Sequence, residues 1–159
     1  MNNEPSLSYL AAPYRHEDPK VLSFRLAAVT YTAYEMIRKG RMVFSPLTHN
    51  MPIDRIGFHG DWSVWKTYDR LMLERCDALT VLTLPGWEES KGVRAEIRWA
   101  EELNMPIEMV ALTREAEEIA IKESVKGNEN LKDALIRTLK EHPSQLHQTT
   151  QEIMRELAH

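Results

Sequence analysis

The segment Asp77-Ala78-Leu79-Thr80-Val81-Leu82-Thr83-Leu84 is apolar at nearly every position and shows no polar–apolar alternation. A run of that character suits a strand buried on both faces, as in the middle of a parallel sheet with helices on either side. Three shorter runs accompany it: Leu7 to Ala12 (LSYLAA), Arg41 to Pro46 (RMVFSP) and Pro106 to Leu112 (PIEMVAL). Helical signatures separate them. Asp18 is a good N-cap and Pro19 suits the first helical position; Leu22, Leu26, Val29, Ala33 and Met36 then fall on one face, and Gly40 closes the helix. A short helix is predicted over Trp65 to Arg75. Ser90 caps another that runs to about Asn104, with Val93, Ile97 and Ala100 facing inward.

Strands alternating with helices through right-handed crossovers predict a three-layer α/β domain over residues 1–112. It is flavodoxin-like (Rossmann-like), with a parallel sheet of four or five strands. After Leu112 the pattern is helical only, over Thr113 to Val125, Asn128 to about Glu141 and Ser144 to Leu157. This helical C-terminal extension, 113–159, is expected to pack on the domain or at an oligomer interface. Residues 47–64 (LTHNMPIDRIGFHGDWSV) show no period and read as a long irregular binding loop.

A chain of 159 residues holds one ordinary domain, and 43% apolar residues can build its core. A net charge of −4 gives no electrostatic footprint for nucleic acid, though a local anion pocket is compatible with it. The lone cysteine, Cys76, excludes a disulfide framework and reads as a packed thiol. The start, Met1-Asn2-Asn3-Glu4-Pro5, has neither the basic residues nor the apolar run of a signal peptide. No stretch is long and apolar enough for a membrane span. The expectation is a soluble, cytoplasmic protein that binds neither nucleic acid nor membrane.

In open parallel sheets the ligand crevice lies beyond the carboxyl ends of the strands. That rule selects Ala12 to His16, Ser45 to Asn50 and Pro85 to Ser90. The third segment opens a helix. Free backbone N–H groups at Ser90 to Gly92 would form an anion site, and Gly92 would let a ligand approach closely. Glu96 follows nearly two turns on, where it can turn toward the same crevice. Glu96 taken alone reads as a solvated helix carboxylate; the Ser90-x-Gly92-x-x-x-Glu96 context after the central strand favours function.

Three segments together resemble the nucleoside 2-deoxyribosyltransferase superfamily, which includes deoxynucleoside 5'-monophosphate N-glycosidases. Tyr9-Leu10-Ala11-Ala12-Pro13-Tyr14 is similar to its opening strand and substrate loop. Asp69, seven intervening residues and Asp77 resemble its helix-to-central-strand segment, and Ser90-x-Gly92-x-x-x-Glu96 its signature. The resemblance covers roughly residues 8 to 112. It implies Glu96 as nucleophile at the anomeric carbon, Asp69 as the group that protonates or orients the leaving base, and Ser90 at a 5'-phosphate. Tyr9 or Tyr14 would orient Glu96 or the sugar. It also implies a small-molecule nucleoside or nucleotide as substrate, no cofactor, and a homodimer or larger homo-oligomer.

The chemistry is sound on its own terms. An oxocarbenium-like state is stabilised or trapped by one carboxylate while a second, protonated carboxyl serves the leaving base. The glycosyl-enzyme can then pass to water or to another base. Other residues keep two readings. Asp69 is either the acid or a helix cap, and Asp77 more simply shapes the turn into the central strand. Arg15 meets phosphate or is surface. His49 and His59 contact substrate; their separation fits no zinc spacing, so no metal is expected. Trp62 and Trp65 stack on a base or pin the loop. The Trp87-Glu88-Glu89 loop sustains an alternative, a catalytically silent nucleotide-binding sensor or interaction module of the same fold.

Overall fold

The computed structural model describes residues 6–57 and 62–126. Four parallel strands, β1 (Leu7–Ala11), β2 (Met42–Phe44), β3 (Ala78–Leu82) and β4 (Ile107–Val110), form a sheet in the order β2-β1-β3-β4. The described helices are α1 (Pro19–Arg38), α2 (Pro46–Arg55), α3 (Trp62–Leu73), α4 (Lys91–Glu102) and α5 (Arg114–Ser124). The chain is thus a flavodoxin-like three-layer α/β fold with four strands. β3 lies inside the sheet, between β1 and β4, which is where its apolar run belongs.

Strand alternation divides the core. Leu10, Leu82 and Leu84 face Phe24, Ala28, Val29 and Met36 of α1 and Ala120 and Ile121 of α5. Tyr9, Ala11, Leu79 and Val81 face the other way, toward Leu73 of α3 and Val93, Ala95 and Trp99 of α4. Each fully buried leucine of this kind contributes about 1.5–3 kcal/mol. Asp77 is structural: its carboxylate accepts from the Leu7 N–H at 2.7 Å, and its own N–H donates to the Leu7 carbonyl at 2.7 Å. Cys76 is buried with its thiol donating to the Met72 carbonyl, and burial pushes that thiol up to about 11.

Three expectations need correction. On α1 the buried stripe is Val21, Phe24, Ala28, Val29, Ala33 and Met36, while Leu22 and Leu26 are only half-buried. The helix packs against both the sheet and α5, so its apolar surface is wider than one stripe. Residues 47–64 are not irregular throughout, because α2 fills 46–55 behind Ser45. Its start is the Ser-then-Pro arrangement that favours a first turn, but Pro52 and a polar inward face hide the helical period. Finally, α3 begins at Trp62 rather than Trp65.

Of the C-terminal helices, the one expected at 113–125 is α5, capped by the Thr113 hydroxyl and packed along α1. Those expected at 128–141 and 144–157 lie outside the described residues. No helix among the described residues is long and apolar enough to cross a membrane.

Candidate active site

The site begins in the strand alternation. Because Tyr9 shares a face with Ala11, its side chain runs under α4. There its hydroxyl donates to Oε1 of Glu96 at 2.8 Å, and Glu96 is only 7% exposed. Of the two candidate tyrosines, Tyr9 is the one that holds Glu96; Tyr14 lies half-buried in the β1–α1 loop. With Oε1 engaged, Oε2 of Glu96 has no hydrogen-bond partner among the described residues.

A second carboxyl lies close enough to interact with the first. Asp69 sits in the middle of α3, too far from its start to act as a cap. Its Oδ1 accepts from Nδ2 of Asn50 at 2.9 Å. Burial raises Asp69 to about 6, against the opposing effects of the Asn50 hydrogen bond and the nearby His49. Burial raises Glu96 to about 8; the Tyr9 hydrogen bond opposes this and the Asp69 charge adds to it. Tyr9 itself is pushed well above its ordinary value, by burial first and by Glu96 next. Between about pH 6 and about pH 8 the carboxyl pair therefore carries one proton and one negative charge. One acid and one base, electrostatically coupled and largely withdrawn from water, are a pair able to do general acid–base chemistry.

The rim of the crevice is built from two loops tied by Arg25 of α1. Its Nη1 donates to the carbonyls of Tyr14 (3.4 Å) and Arg15 (2.9 Å), and its Nη2 donates to Pro85 (2.9 Å). Gly86 follows with φ +87°, and a Cβ there would meet Nη2 at 3.0 Å. Arg15 thus meets the site through its carbonyl, while its side chain is exposed. Arg25→Ala is expected to unpair three carbonyls and lower stability by about 1–2 kcal/mol, read as a fall in the urea midpoint. Arg25→Lys should restore little, since an ammonium lacks the planar fork that spans both loops. A midpoint equal to that of the parent would show the brace to be idle.

On the third loop, Ser90 caps α4 by accepting from the Val93 N–H at 3.4 Å. The expectation of three free N–H groups is overturned at Ser90, whose N–H donates to the Trp87 carbonyl at 3.2 Å. Those of Lys91 and Gly92 have no partner among the described residues. Glu88 and Glu89 are exposed, and Trp87 packs against the α4 side of the core.

His49 is stacked on Tyr68 (centroids 5.3 Å apart, 15° between planes) and tilted against Phe44 at 5.9 Å. Trp65 meets Tyr68 edge-on. His59 and the side chain of Trp62 lie outside the described residues. Among the described residues no group of three or more His, Cys, Asp and Glu side chains could hold a metal ion. A hollow of about 710 Å³ between α1 and α5 lies on the opposite face of the sheet from Glu96 and contains no carboxyl pair.

Sequence reasoning misses Arg25, and it does not single out Asn50, although Ser45 to Asn50 is one of the segments it selects for the crevice. The Ser45-Pro46 helix start would have placed Asn50 on the first turns of a helix beyond β2. Nothing in the spacing of α1 distinguishes Arg25 from a surface arginine.

A family model for a domain of unknown function, DUF1937, matches residues 6–112. No curated protein matches the chain. The family match extends from β1 past β4 and takes in Tyr9, Asp69 and Glu96, and on its strength this chain belongs to the DUF1937 family.

Proposed function

We propose that this protein cleaves or transfers the N-glycosidic bond of a nucleoside or nucleoside 5'-monophosphate, as its resemblance to the nucleoside 2-deoxyribosyltransferases suggests. The observation that carries the proposal is the electrostatically coupled pair of buried Glu96 and half-buried Asp69, each with one oxygen held by a neutral donor and the other without a partner among the described residues. Oε2 of Glu96 attacks the anomeric carbon. The C–N electron pair leaves with the base, whose nitrogen takes the proton of Asp69. In the second half, water or another base attacks the glycosyl ester and displaces Glu96. When water is the acceptor, the Asp69 carboxylate takes its proton. The aromatic wall of Phe44, Tyr68 and Trp65 offers a surface for a flat base, and Lys91 and Gly92 offer amides for an anionic substituent. No cofactor takes part in these steps, and the active form is a homo-oligomer.

A panel of nucleosides and 5'-monophosphates, incubated with and without a second free base and followed by chromatography, tests this. Base release that disappears in Glu96→Ala supports the reading, and a new nucleoside formed from the added base makes it a transferase. The pH dependence of kcat/KM should be bell-shaped, rising through about 6 and falling through about 8. Below the lower limb both carboxyls are protonated and no nucleophile exists; above the upper limb both are ionised and no acid exists. A profile flat from pH 5 to 9 would dissociate the pair from the chemistry.

The second reading is the silent nucleotide-binding sensor. It is favoured by one feature: Glu96 holds its proton more tightly than Asp69 does, the reverse of what attack requires. Tight nucleotide binding in calorimetry with no base released would select it.

A further inference from the structure

We propose that His49 and Asn50 form a one-way hydrogen-bond relay that positions Asp69 and reserves its Oδ2 for the proton it exchanges. The inference rests on the glycosidic reading only for what that proton does; the relay itself is a property of the free protein.

Asn50 is 4% exposed on α2, and both polar atoms of its side chain are engaged. Its Oδ1 lies 3.0 Å from Nδ1 of His49, and its Nδ2 donates to Oδ1 of Asp69 at 2.9 Å. The amide oxygen can only accept, so His49 must carry its hydrogen on Nδ1. In a neutral imidazole Nε2 is then an acceptor, and the Tyr68 hydroxyl lies 3.4 Å from it, in the right sense to donate. Every hydrogen bond thus points toward Asp69. Stacking on Tyr68 and the contact with Phe44 hold the imidazole in the plane this requires.

The direction has a chemical consequence. Turning the Asn50 amide over would aim its oxygen at the Asp69 carboxylate, a repulsive contact, and withdraw the donor from Oδ1. Oδ1 of Asp69 is therefore kept as an acceptor, and a proton arriving on this carboxyl sits on Oδ2. Tyr9 does the same for Glu96 by occupying Oε1. His49 and Asn50 are positioning residues; His49, expected to touch substrate, has both ring nitrogens engaged within the protein.

The groups that act on Asp69 are Glu96 from α4, Tyr9 from β1, and His49 and Asn50 from α2. The cation next in sequence, Arg70, is paired with Glu74 and Glu102. Removing the relay thus withdraws a donor that none of these groups replaces, and Asp69 should hold its proton more tightly.

Carbon NMR of the full chain, labelled at the aspartate carboxyls and titrated without substrate, tests this in Asn50→Leu and His49→Ala. The midpoint of Asp69 is expected to rise by roughly half a unit to one unit in Asn50→Leu. In His49→Ala, at an exposed position that threatens folding less, it should rise in the same direction. A midpoint unchanged or lowered in the folded variants overturns the relay, because a scaffolding role alone would not move it. A silent base-release panel would sink the glycosidic reading and leave this result standing, whereas an unmoved titration sinks the relay alone.

Discussion

Glu96→Gln is expected to lower base release by at least about 10³-fold while the protein stays folded. The size follows from what the amide lacks. Glutamine keeps an oxygen for the Tyr9 hydroxyl, so the hydrogen bond at 2.8 Å and the packing of α4 survive. It has no lone pair able to form a glycosyl ester and no charge to face the oxocarbenium-like state. The loss should therefore appear in kcat, with KM for the same nucleotide nearly unchanged. A burst of base in a single turnover, seen in the parent and absent in the variant, would tie the loss to the covalent step. Retained turnover in Glu96→Gln would remove Glu96 from the chemistry and leave the carboxyl pair as a structural feature.

The parts of this site differ in how far the chain announces them, and the reason is physical. Tyr9, Asp69 and Glu96 sit on elements that the sequence pattern picks out: β1, the helix α3 before β3, and α4. Once those elements are placed, strand alternation puts Tyr9 on the α4 face and helical rise brings Glu96 above it. The spacing of residues leaves Tyr9 and Tyr14 equivalent; only the tertiary contact separates them. Asn50 is harder to find. Its helix turns a polar residue inward, because that residue's partner is a carboxyl rather than the core, and an inward polar residue erases the period by which helices are recognised. Arg25 is hidden differently: on a long amphipathic helix an arginine looks solvated. Its carbonyl acceptors lie in two separate loops, Tyr14 and Arg15 just before α1 and Pro85 sixty residues away. What sequence hides here is the layer of side chains behind the reacting groups.

The same Glu96→Gln substitution should stabilise the protein, by an amount that grows as pH rises from about 4.5 to about 8. In the unfolded chain Glu96 ionises near 4.5, while in the folded protein it holds its proton to about 8. A carboxyl whose folded value is raised binds its proton more tightly in the native state, so native stability falls as pH rises between those two values. At pH 5 most of that penalty is absent and glutamine is close to a neutral stand-in. At pH 8.5 the parent holds a buried charge beside ionised Asp69, and the variant does not. The electrostatic coupling belongs to both carboxyls, so replacing one recovers on the order of 2–4 kcal/mol. For a chain of this length that corresponds to a Tm increase of roughly 5–10 °C at pH 8.5, with little change at pH 5. Thermal unfolding of both proteins at the two pH values measures it. A variant that is less stable at both would mean that Glu96 is held as a structural anchor. A gain that grows with pH across that window is the mark of a group kept against the stability of the fold, as reacting groups are.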